Sequence, residues 1–409
     1  MRSNLVWNQR LRRLLVSAAG LCAISLPTLT HAAPSCDNFR AKSFDQLSTT
    51  EALPNPFVFA DGGAVIRSSD WYCRRQETAQ QIQRWIYGEK EPAPKQITGE
   101  VNAQSVTVKI IDNGKRIAFT AEITLPNTGD PPYPAMIGIG RSFLDNQALL
   151  DRGIALINFP NNELGQQDGG HSRGKGKFYA LYGENHSAAS TMAWAWGVSR
   201  LIDALELTQG HRIDTQHLGV TGCSRNGKGA LVTGAFDERI ALSIIQESGS
   251  GGSAAWRVSD AQLASGQNVQ TARQIVTENT WLREDFTQFS ESVSKLPVDN
   301  HQLMGLVAPR GLLLLENTGM EWLGNESAYT SALAAREIYF ALGAEENMGI
   351  TQVGGHQHCQ VPDSQKPAIN AFVDRFLLDK DVDTNLTTTD GEFSVDRERW
   401  MPWPTPKLR

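Results

Sequence analysis

The sequence of 409 residues predicts an α/β fold in which a mostly parallel central sheet is sandwiched between helices in three layers. Short apolar runs alternate with longer segments of helical spacing, a pattern typical of parallel strands joined by helices. The runs are AMIGIG, GIALINFP, HLGVTG, IALSII and GLLLLEN. Helical spacing is clearest at Trp194, Val198, Leu201, Ile202 and Leu205. Functional groups of such sheets gather at the carboxyl ends of the strands, so we expect the site there.

Residues 1–33 predict a secretory signal peptide. Four arginines precede the apolar run LLVSAAGLCAISL and the small-residue stretch THAA. That run is too short for a bilayer core of about 30 Å. We therefore expect a secreted or periplasmic protein without a membrane contact. Residues 34–409 are expected to form a single domain, and the protein is expected to be a monomer. Loss of the four arginines would take the formal charge from −6 to −10, which argues against a nucleic-acid partner.

Other segments carry weaker local signals. A helix begun by an acidic cap is predicted in SDWYCRRQETAQQIQRWIYG. Alternating apolar residues on both sides of Asn113-Gly114 predict a β-hairpin. The final residues, LTTTDGEFSVDRERWMPWPTPKLR, are expected to form an ordered tail over the surface instead of a second domain.

Four cysteines remain after the signal, namely Cys36, Cys73, Cys223 and Cys359. An even number in an exported chain favours two disulfides. Three pairings are possible, and the positions of the cysteines do not choose among them.

The segment GCSRNGK, residues 222–228, follows a strand-like run and precedes a helix-like one. Hydrolases of the α/β type place a nucleophilic serine on such a turn within the pattern G-x-S-x-G. Gly222 fits this pattern, but the second glycine, Gly227, comes three residues after Ser224 instead of two. On spacing alone, Ser224 is either a nucleophile or an ordinary serine that caps a helix.

A nucleophilic serine needs a base and an acid. His356 and His358 lie in a glycine-rich loop late in the chain, where the base of this fold is expected; a zinc pair is the alternative. If Cys223 pairs with Cys359, their neighbours Ser224 and His358 lie close together, which favours His358. The acid is Glu247 or Glu316, each at a predicted strand end, and the residues favour both equally.

Several longer motifs resemble the glucuronoyl esterases, the fifteenth carbohydrate esterase family, from about residue 50 to 380. They are VTGCSRNGKGA, IIQESGSGG, NVQTARQIVTEN, MEWLG, HQHCQ, SRGKGKFYALYG and AWAWGVSRLIDALE. The resemblance implies an α/β-hydrolase fold. It also implies cleavage, without cofactor or metal, of esters that join 4-O-methyl-glucuronic acid branches of xylan to lignin alcohols. We expect a bacterial member of this family.

The resemblance also implies roles for individual residues. Ser224 is expected to be the nucleophile, His358 the base and Glu247 the orienting acid, with Glu316 as a possible second acid. A bridge between Cys223 and Cys359 is implied, which leaves Cys36 to pair with Cys73. The remaining expected site residues are the oxyanion-stabilising Arg225, the sugar-binding Lys228, Gln270 and Glu278, and Trp322 against the uronate ring.

Two other functions remain open. One is an acetyl-xylan or general carboxylesterase of the same fold, for which the predicted sugar-binding residues would have no common purpose. The other is a carbohydrate-binding protein that has lost catalytic activity. The chain departs from fungal members in having two expected disulfides instead of three and in carrying no separate carbohydrate-binding module. Soluble glucuronoxylan fragments are therefore a fair target beside whole cell walls.

Overall fold

A ten-stranded sheet lies at the centre of the computed structural model, which describes Cys36 and residues 42–408. The predicted signal peptide falls outside these residues. The strands of the sheet are β1 Gln96–Val101, β2 Ser105–Asp112, β3 Lys115–Thr124, β4 Tyr133–Ile139, β5 Ala155–Phe159, β6 Ile213–Cys223, β7 Ile240–Gln246, β8 Gly311–Glu316, β9 Met348–Gln352 and β10 Thr387–Thr389. They are ordered β1-β2-β3-β5-β4-β6-β7-β8-β9-β10. The pairings from β1 to β5 by way of β3 are antiparallel, and all others are parallel.

The helices that accompany these strands in the described residues cover both faces of the sheet. They are α1 Ser68–Ile82, α2 Asn146–Asp151, α3 Asn161–Leu164, α4 Lys177–Tyr182, α5 Ser190–Leu207, α6 Arg225–Phe236, α7 Trp256–Ala264, α8 Ala272–Glu278, α9 Asn300–Gly305, α10 Asn325–Ala341, α11 Lys366–Leu377 and α12 Arg397–Trp400.

Two large clusters of buried side chains lie on opposite faces of the sheet, because successive residues of a strand point in opposite directions. In β8, Leu312 and Leu314 join the cluster that includes residues of α5, α6 and α10, whereas Leu313 and Leu315 join that of α2 and α11. Burial on both faces explains why this strand has an unbroken apolar run. The predicted three-layer arrangement is confirmed.

The predicted hairpin is also present. Strands β2 and β3 pair up to Asp112 and Lys115, and the two residues between them have positive φ, 48° at Asn113 and 73° at Gly114. Two positive φ angles are the requirement of the tight turn that the Asn-Gly pair favours.

The predicted helix near the amino end is α1, but its cap differs from the expectation. The N-cap residue is Arg67, and the acidic residue is Asp70 in the first turn. The Asp70 carboxylate accepts a hydrogen bond from the Arg67 backbone N–H at 2.9 Å. The acidic group therefore satisfies a free donor at the helix start from inside the helix.

The carboxyl-terminal segment is ordered, as expected, but it is not only a surface tail. Its strand β10 extends the sheet beside β9. Further along, Trp400 and Met401 are buried against Leu53 and Val258. The segment thus belongs partly to the core. None of the helices in the described residues combines the length and the apolar character that a bilayer crossing requires.

Candidate active site

Ser224 lies on a sharp turn between β6 and α6. Its φ is 58° and its ψ is −126°, a conformation that side-chain-bearing residues rarely adopt and that costs about 1–3 kcal/mol. The turn is held because the Ser224 N–H donates to the carbonyl of Gln246 at 2.9 Å, and Lys228 N–H donates to the Ser224 carbonyl at 3.1 Å. This is the geometry of a strand-to-helix nucleophile elbow.

Two glycines make this turn possible in spite of their unusual spacing. A Cβ on Gly222 would lie 2.4 Å from the backbone oxygen of Asn226, and a Cβ on Gly227 would lie 2.8 Å from that of Gln246. Asn226 occupies the place where the usual pattern has glycine, and its Oδ1 accepts a hydrogen bond from Asn161 Nδ2 at 3.1 Å. The spacing that weakened the motif is thus compatible with a close approach of strand and helix.

His358 and Glu247 form a short hydrogen-bonded pair. Nδ1 of His358 lies 2.6 Å from Oε2 of Glu247, and the Cys359 N–H donates to Oε1 of Glu247 at 3.1 Å. Glu247 directly follows β7, has a φ of 44° and is only 1% exposed. His356, in contrast, has its Nε2 2.9 Å from the carbonyl of Val353. With Nδ1 bound to Glu247, Nε2 is the ring nitrogen that a proton-transfer role of His358 would use.

The described part of the chain contains two disulfides, Cys36–Cys73 and Cys223–Cys359. The Cα atoms of Cys223 and Cys359 are 5.7 Å apart. This bond ties the residue before Ser224 to the residue after His358. One ligand atom each of Cys223, His358 and Cys359 also lies within 4.8 Å of the others. Both sulfurs are consumed by the disulfide, so this cluster offers a metal ion a single imidazole and does not fit a zinc site.

The two candidate acids have different hydrogen-bond partners. Glu316 ends β8, is 2% exposed and accepts a hydrogen bond on Oε1 from the hydroxyl of Ser253 at 2.5 Å. Its contact is therefore with Ser253, whereas the contact of Glu247 is with His358. Burial raises the pKa of Glu316 to about 8.

This raised pKa predicts a pH-dependent effect of Glu316→Gln on stability. Below pH 4.5 the carboxyl group is protonated in the folded and unfolded chains alike. Between pH 4.5 and about 8 the unfolded chain ionises while the buried group keeps its proton, so the stability that Glu316 contributes is progressively lost. Glutamine does not titrate, so the melting temperature of the variant relative to that of the wild type should rise across this interval. Above about pH 8 the difference between the two should stay constant. A difference that does not change between pH 4 and 9 would contradict the burial effect.

Arg225 and Lys228 lie over the same indole ring. The Arg225 guanidinium carbon is 5.1 Å, and the Lys228 Nζ 5.4 Å, from the centre of the Trp281 ring. Trp281 is 5% exposed, and its Nε1 donates to Gln167 Oε1 at 3.0 Å. Such contacts hold cations by the negative face of the ring. Trp281 and Gln167 were missed by the sequence analysis, although Trp281 comes two residues after the segment NVQTARQIVTEN.

Lys228 is almost completely buried, with 3% exposure, and its ammonium donates to the backbone oxygen of Ser248 at 2.5 Å. Burial lowers the pKa of Lys228 to about 8, and the carboxylates of Glu278 and Glu316 act against this shift. The ammonium is thus held beside acidic groups in a site with little water.

The other predicted sugar-binding residues also contact one another. Gln270 Nε2 donates to Glu278 Oε1 at 2.5 Å, and the Gln270 backbone N–H donates to the Trp322 carbonyl at 2.9 Å. Glu278 is exposed and Gln270 is buried. Glu278 also acts electrostatically on Lys228, so its carboxylate lies near that ammonium.

Comparison with known proteins gives one family. A family model described as fungal glucuronyl esterase matches residues 108–343. A 4-O-methyl-glucuronoyl methylesterase of Podospora anserina is 46% identical over 360 residues, which cover 87% of this chain and 74% of that protein. The enzyme of the same name from Hypocrea jecorina is 44% identical over 362 residues, which cover 88% and 77%.

Solved structures agree with this result. The glucuronoyl esterase catalytic domain of Hypocrea jecorina is similar with a TM-score of 0.86 and 43% identity, covering 89% of this chain and 99% of that one. A mutant glucuronoyl esterase of Sporotrichum thermophile, in complex with methyl 4-O-methyl-β-D-glucopyranuronate, gives 0.84 and 43%, covering 89% and 97%. A family-15 enzyme of Caldicellulosiruptor kristjansonii gives 0.75 and 30%, covering 90% and 100%.

The expectation of a bacterial member is not supported, because the curated relatives named here and the family model are fungal. The fold and the class of enzyme, in contrast, agree with the sequence analysis. The chain is a carboxylic ester hydrolase with the α/β-hydrolase fold, and it belongs to the glucuronoyl esterase family.

Proposed function

We propose that this protein hydrolyses esters of 4-O-methyl-D-glucuronic acid side chains of glucuronoxylan, including their ester links to lignin alcohols, through an acyl-enzyme on Ser224. The observation that carries the proposal is the Glu247–His358 hydrogen bond of 2.6 Å, anchored to the turn of Ser224 by the Cys223–Cys359 bond. Relatives that bear the name 4-O-methyl-glucuronoyl methylesterase support the substrate class.

Acylation begins when Ser224 Oγ attacks the ester carbonyl carbon and its proton passes to Nε2 of His358. The carboxylate of Glu247 keeps the imidazole in the required tautomer and stabilises the imidazolium that forms. His358 then returns the proton to the departing alcohol oxygen as the C–O bond breaks. In the second half, His358 takes a proton from water, whose oxygen attacks the acyl carbon. The bond between that carbon and Ser224 Oγ then breaks, His358 returns the proton to Oγ, and the uronic acid is released.

Arg225 supplies the positive charge for the tetrahedral intermediates. A fixed guanidinium stabilises a developing oxyanion by several kcal/mol because it needs no reorganisation during the reaction. Trp281 supports this role, since its ring lies 5.1 Å from the guanidinium carbon and restricts its motion.

The sugar is bound, in this proposal, by Lys228, Gln270, Glu278 and Trp322. Lys228 and Gln270 are nearly fully buried and therefore present their polar groups in fixed directions. The Gln270–Glu278 hydrogen bond orders an amide and a carboxylate that can exchange hydrogen bonds with sugar hydroxyls. Trp322 offers a flat apolar face of the kind that packs against a pyranose ring.

The proposal includes export. The two disulfides support an oxidising compartment, so we infer a secreted or periplasmic enzyme produced with a signal peptide in residues 1–33. Residues 34–409 would then be one catalytic domain that acts as a monomer, without cofactor, on glucuronoxylan or its soluble fragments.

The decisive experiment compares methyl 4-O-methyl-glucuronate with 4-nitrophenyl acetate. The wild type should have the higher kcat/KM for the glucuronate ester. Lys228→Met should raise KM for that ester about tenfold, equivalent to ~1.4 kcal/mol of binding, because it removes a buried hydrogen-bond donor to the sugar. Its kcat/KM for the acetate should be nearly unchanged. An acetate preference of the wild type would show a general carboxylesterase instead.

Lys90 provides a matched control. It is a half-buried lysine, burial lowers its pKa to about 8, and its ammonium donates to Ser199 Oγ and to the Phe236 carbonyl. Lys90→Met therefore removes a similar ammonium outside the proposed sugar site. We expect an unchanged KM, and a tenfold rise in this variant too would attribute the effect of Lys228→Met to general loosening of the fold.

A further inference from the structure

Glu316 is a buried acid that the proposed mechanism does not use. It is 2% exposed, and its side chain accepts the hydrogen bond of the Ser253 hydroxyl at 2.5 Å. Its own backbone carbonyl accepts from Gln365 Nε2 at 3.1 Å, which fixes the end of β8. Burying a carboxyl group costs free energy of folding, because the group loses its hydration.

The contact with Ser253 continues to Ser248. The Ser248 hydroxyl donates to Ser253 Oγ at 3.0 Å and accepts from the Ser253 backbone N–H at 2.9 Å. A Cβ on the intervening Gly252 would lie 2.5 Å from Ser248 Oγ, so the loop has little room for another arrangement. Both serines are fully buried. The orientation of Ser248 therefore depends on Ser253, and Ser253 is oriented by Glu316.

Ser248 in turn holds Lys228. The Ser248 carbonyl accepts a hydrogen bond from the Lys228 ammonium at 2.5 Å. A lysine side chain has four rotatable bonds, and this contact is one of the two that define where its ammonium lies, the other being the ring of Trp281. A shift of the Ser248 carbonyl would move the ammonium with it.

Glu247 directly precedes Ser248, but its position is fixed by a different set of hydrogen bonds. Its backbone N–H donates to the Leu315 carbonyl at 2.8 Å, and its carboxylate binds His358 and the Cys359 N–H. The acid that orients the base is thus fixed without Glu316. The hydrogen bonds that start at Glu316 lead through Ser253 and Ser248 to Lys228, in the proposed sugar-binding part of the site.

We propose that Glu316 is a positioning residue that acts through Ser253 and Ser248 to place the ammonium of Lys228, and so sets the affinity for the uronate, instead of serving as a second triad acid. The inference rests on the proposed function, in which Lys228 contacts the sugar.

The experiment uses the full mature chain and measures kcat and KM for methyl 4-O-methyl-glucuronate. Ser253→Ala and Glu316→Leu should each raise KM about tenfold and change kcat less than about twofold. The double variant should be no worse than the worse single variant, because both changes interrupt one path. Glu316→Gln keeps an oxygen that can accept from Ser253, and its KM should remain within about threefold of the wild type.

Other results would overturn the proposal. A large fall in kcat for Glu316→Leu with KM unchanged would indicate a triad acid. Unchanged kinetics of Ser253→Ala, or additive effects in the double variant, would break the path between Glu316 and Lys228. If Glu316→Leu does not fold, as judged from its melting transition, Ser253→Ala and Glu316→Gln still decide the question.

Ser259→Ala is the matched control for the serine variant. Ser259 is also buried, and its hydroxyl donates to that of Ser327 at 2.9 Å. The variant should leave KM unchanged, and a tenfold rise would mean that any lost serine pair loosens the site. Failure of the proposed function itself would be recognised separately, because the wild type would then not hydrolyse the glucuronate ester.

Discussion

Ser224→Ala is expected to lower kcat for methyl 4-O-methyl-glucuronate at least about 10⁴-fold. The variant lacks the hydroxyl oxygen that forms the acyl-enzyme, so only the slow attack of water remains. Its binding surface is expected to stay intact, because the ammonium of Lys228 is held by the Ser248 carbonyl and the ring of Trp281. We expect the variant to bind the ester with a dissociation constant close to the wild-type KM.

Three measurements check this expectation. Steady-state assays give kcat, calorimetric titration of the ester gives binding, and a melting curve shows that the fold is retained. A melting temperature close to that of the wild type is expected, because a φ of 58° strains the backbone of alanine about as much as that of serine. Hydrolysis by Ser224→Ala at more than a hundredth of the wild-type rate would remove Ser224 as the nucleophile.

Glu247→Gln is expected to lower kcat about 10³- to 10⁴-fold with little change in KM. The carboxylate Oε2 lies 2.6 Å from Nδ1 of His358, and an amide there cannot stabilise the imidazolium in the same way. An amide that donates to Nδ1 would also favour the wrong tautomer. The measurement is the pair of kcat and KM values at several pH values between 5 and 9.

Glu316→Gln is the informative contrast for this prediction. Both substitutions convert a buried, strand-end glutamate to the isosteric amide, but only Glu247 contacts the histidine. We expect the loss of kcat in Glu247→Gln alone. If Glu316→Gln lost more of its kcat than Glu247→Gln, the assignment of the orienting acid would have to be reversed.

The layered sheet could be predicted because its parallel strands are buried on both faces and therefore appear as unbroken apolar runs. Strand β8, GLLLLE, is the clearest case. Strand β10 could not be predicted in the same way. It consists of three threonines, Thr387–Thr389, that add to the edge beside β9, and so short a polar segment has no periodicity.

In the site, the sequence placed Ser224 and His358 near each other only on condition of one cysteine pairing. It could not choose between Glu247 and Glu316, because each ends a parallel strand at the same edge of the sheet. The choice depends on how the chain turns after the strand, and Glu247 adopts a φ of 44° that no local pattern indicates. Trp281 was missed because a single tryptophan between helices resembles a core residue.

The Cys223–Cys359 bond joins segments separated by 136 positions in the chain, one carrying Ser224 and the other His358. In the proposed export of the protein, this bond can form only after the chain has left a reducing cytosol. Completion of the active site thereby becomes part of maturation. Before oxidation, the loop of His358 is held to the turn of Ser224 by non-covalent contacts alone, and the two cysteines beside them are thiols. With the proposed export, the compartment in which the enzyme acts would also be the one in which its active site is completed.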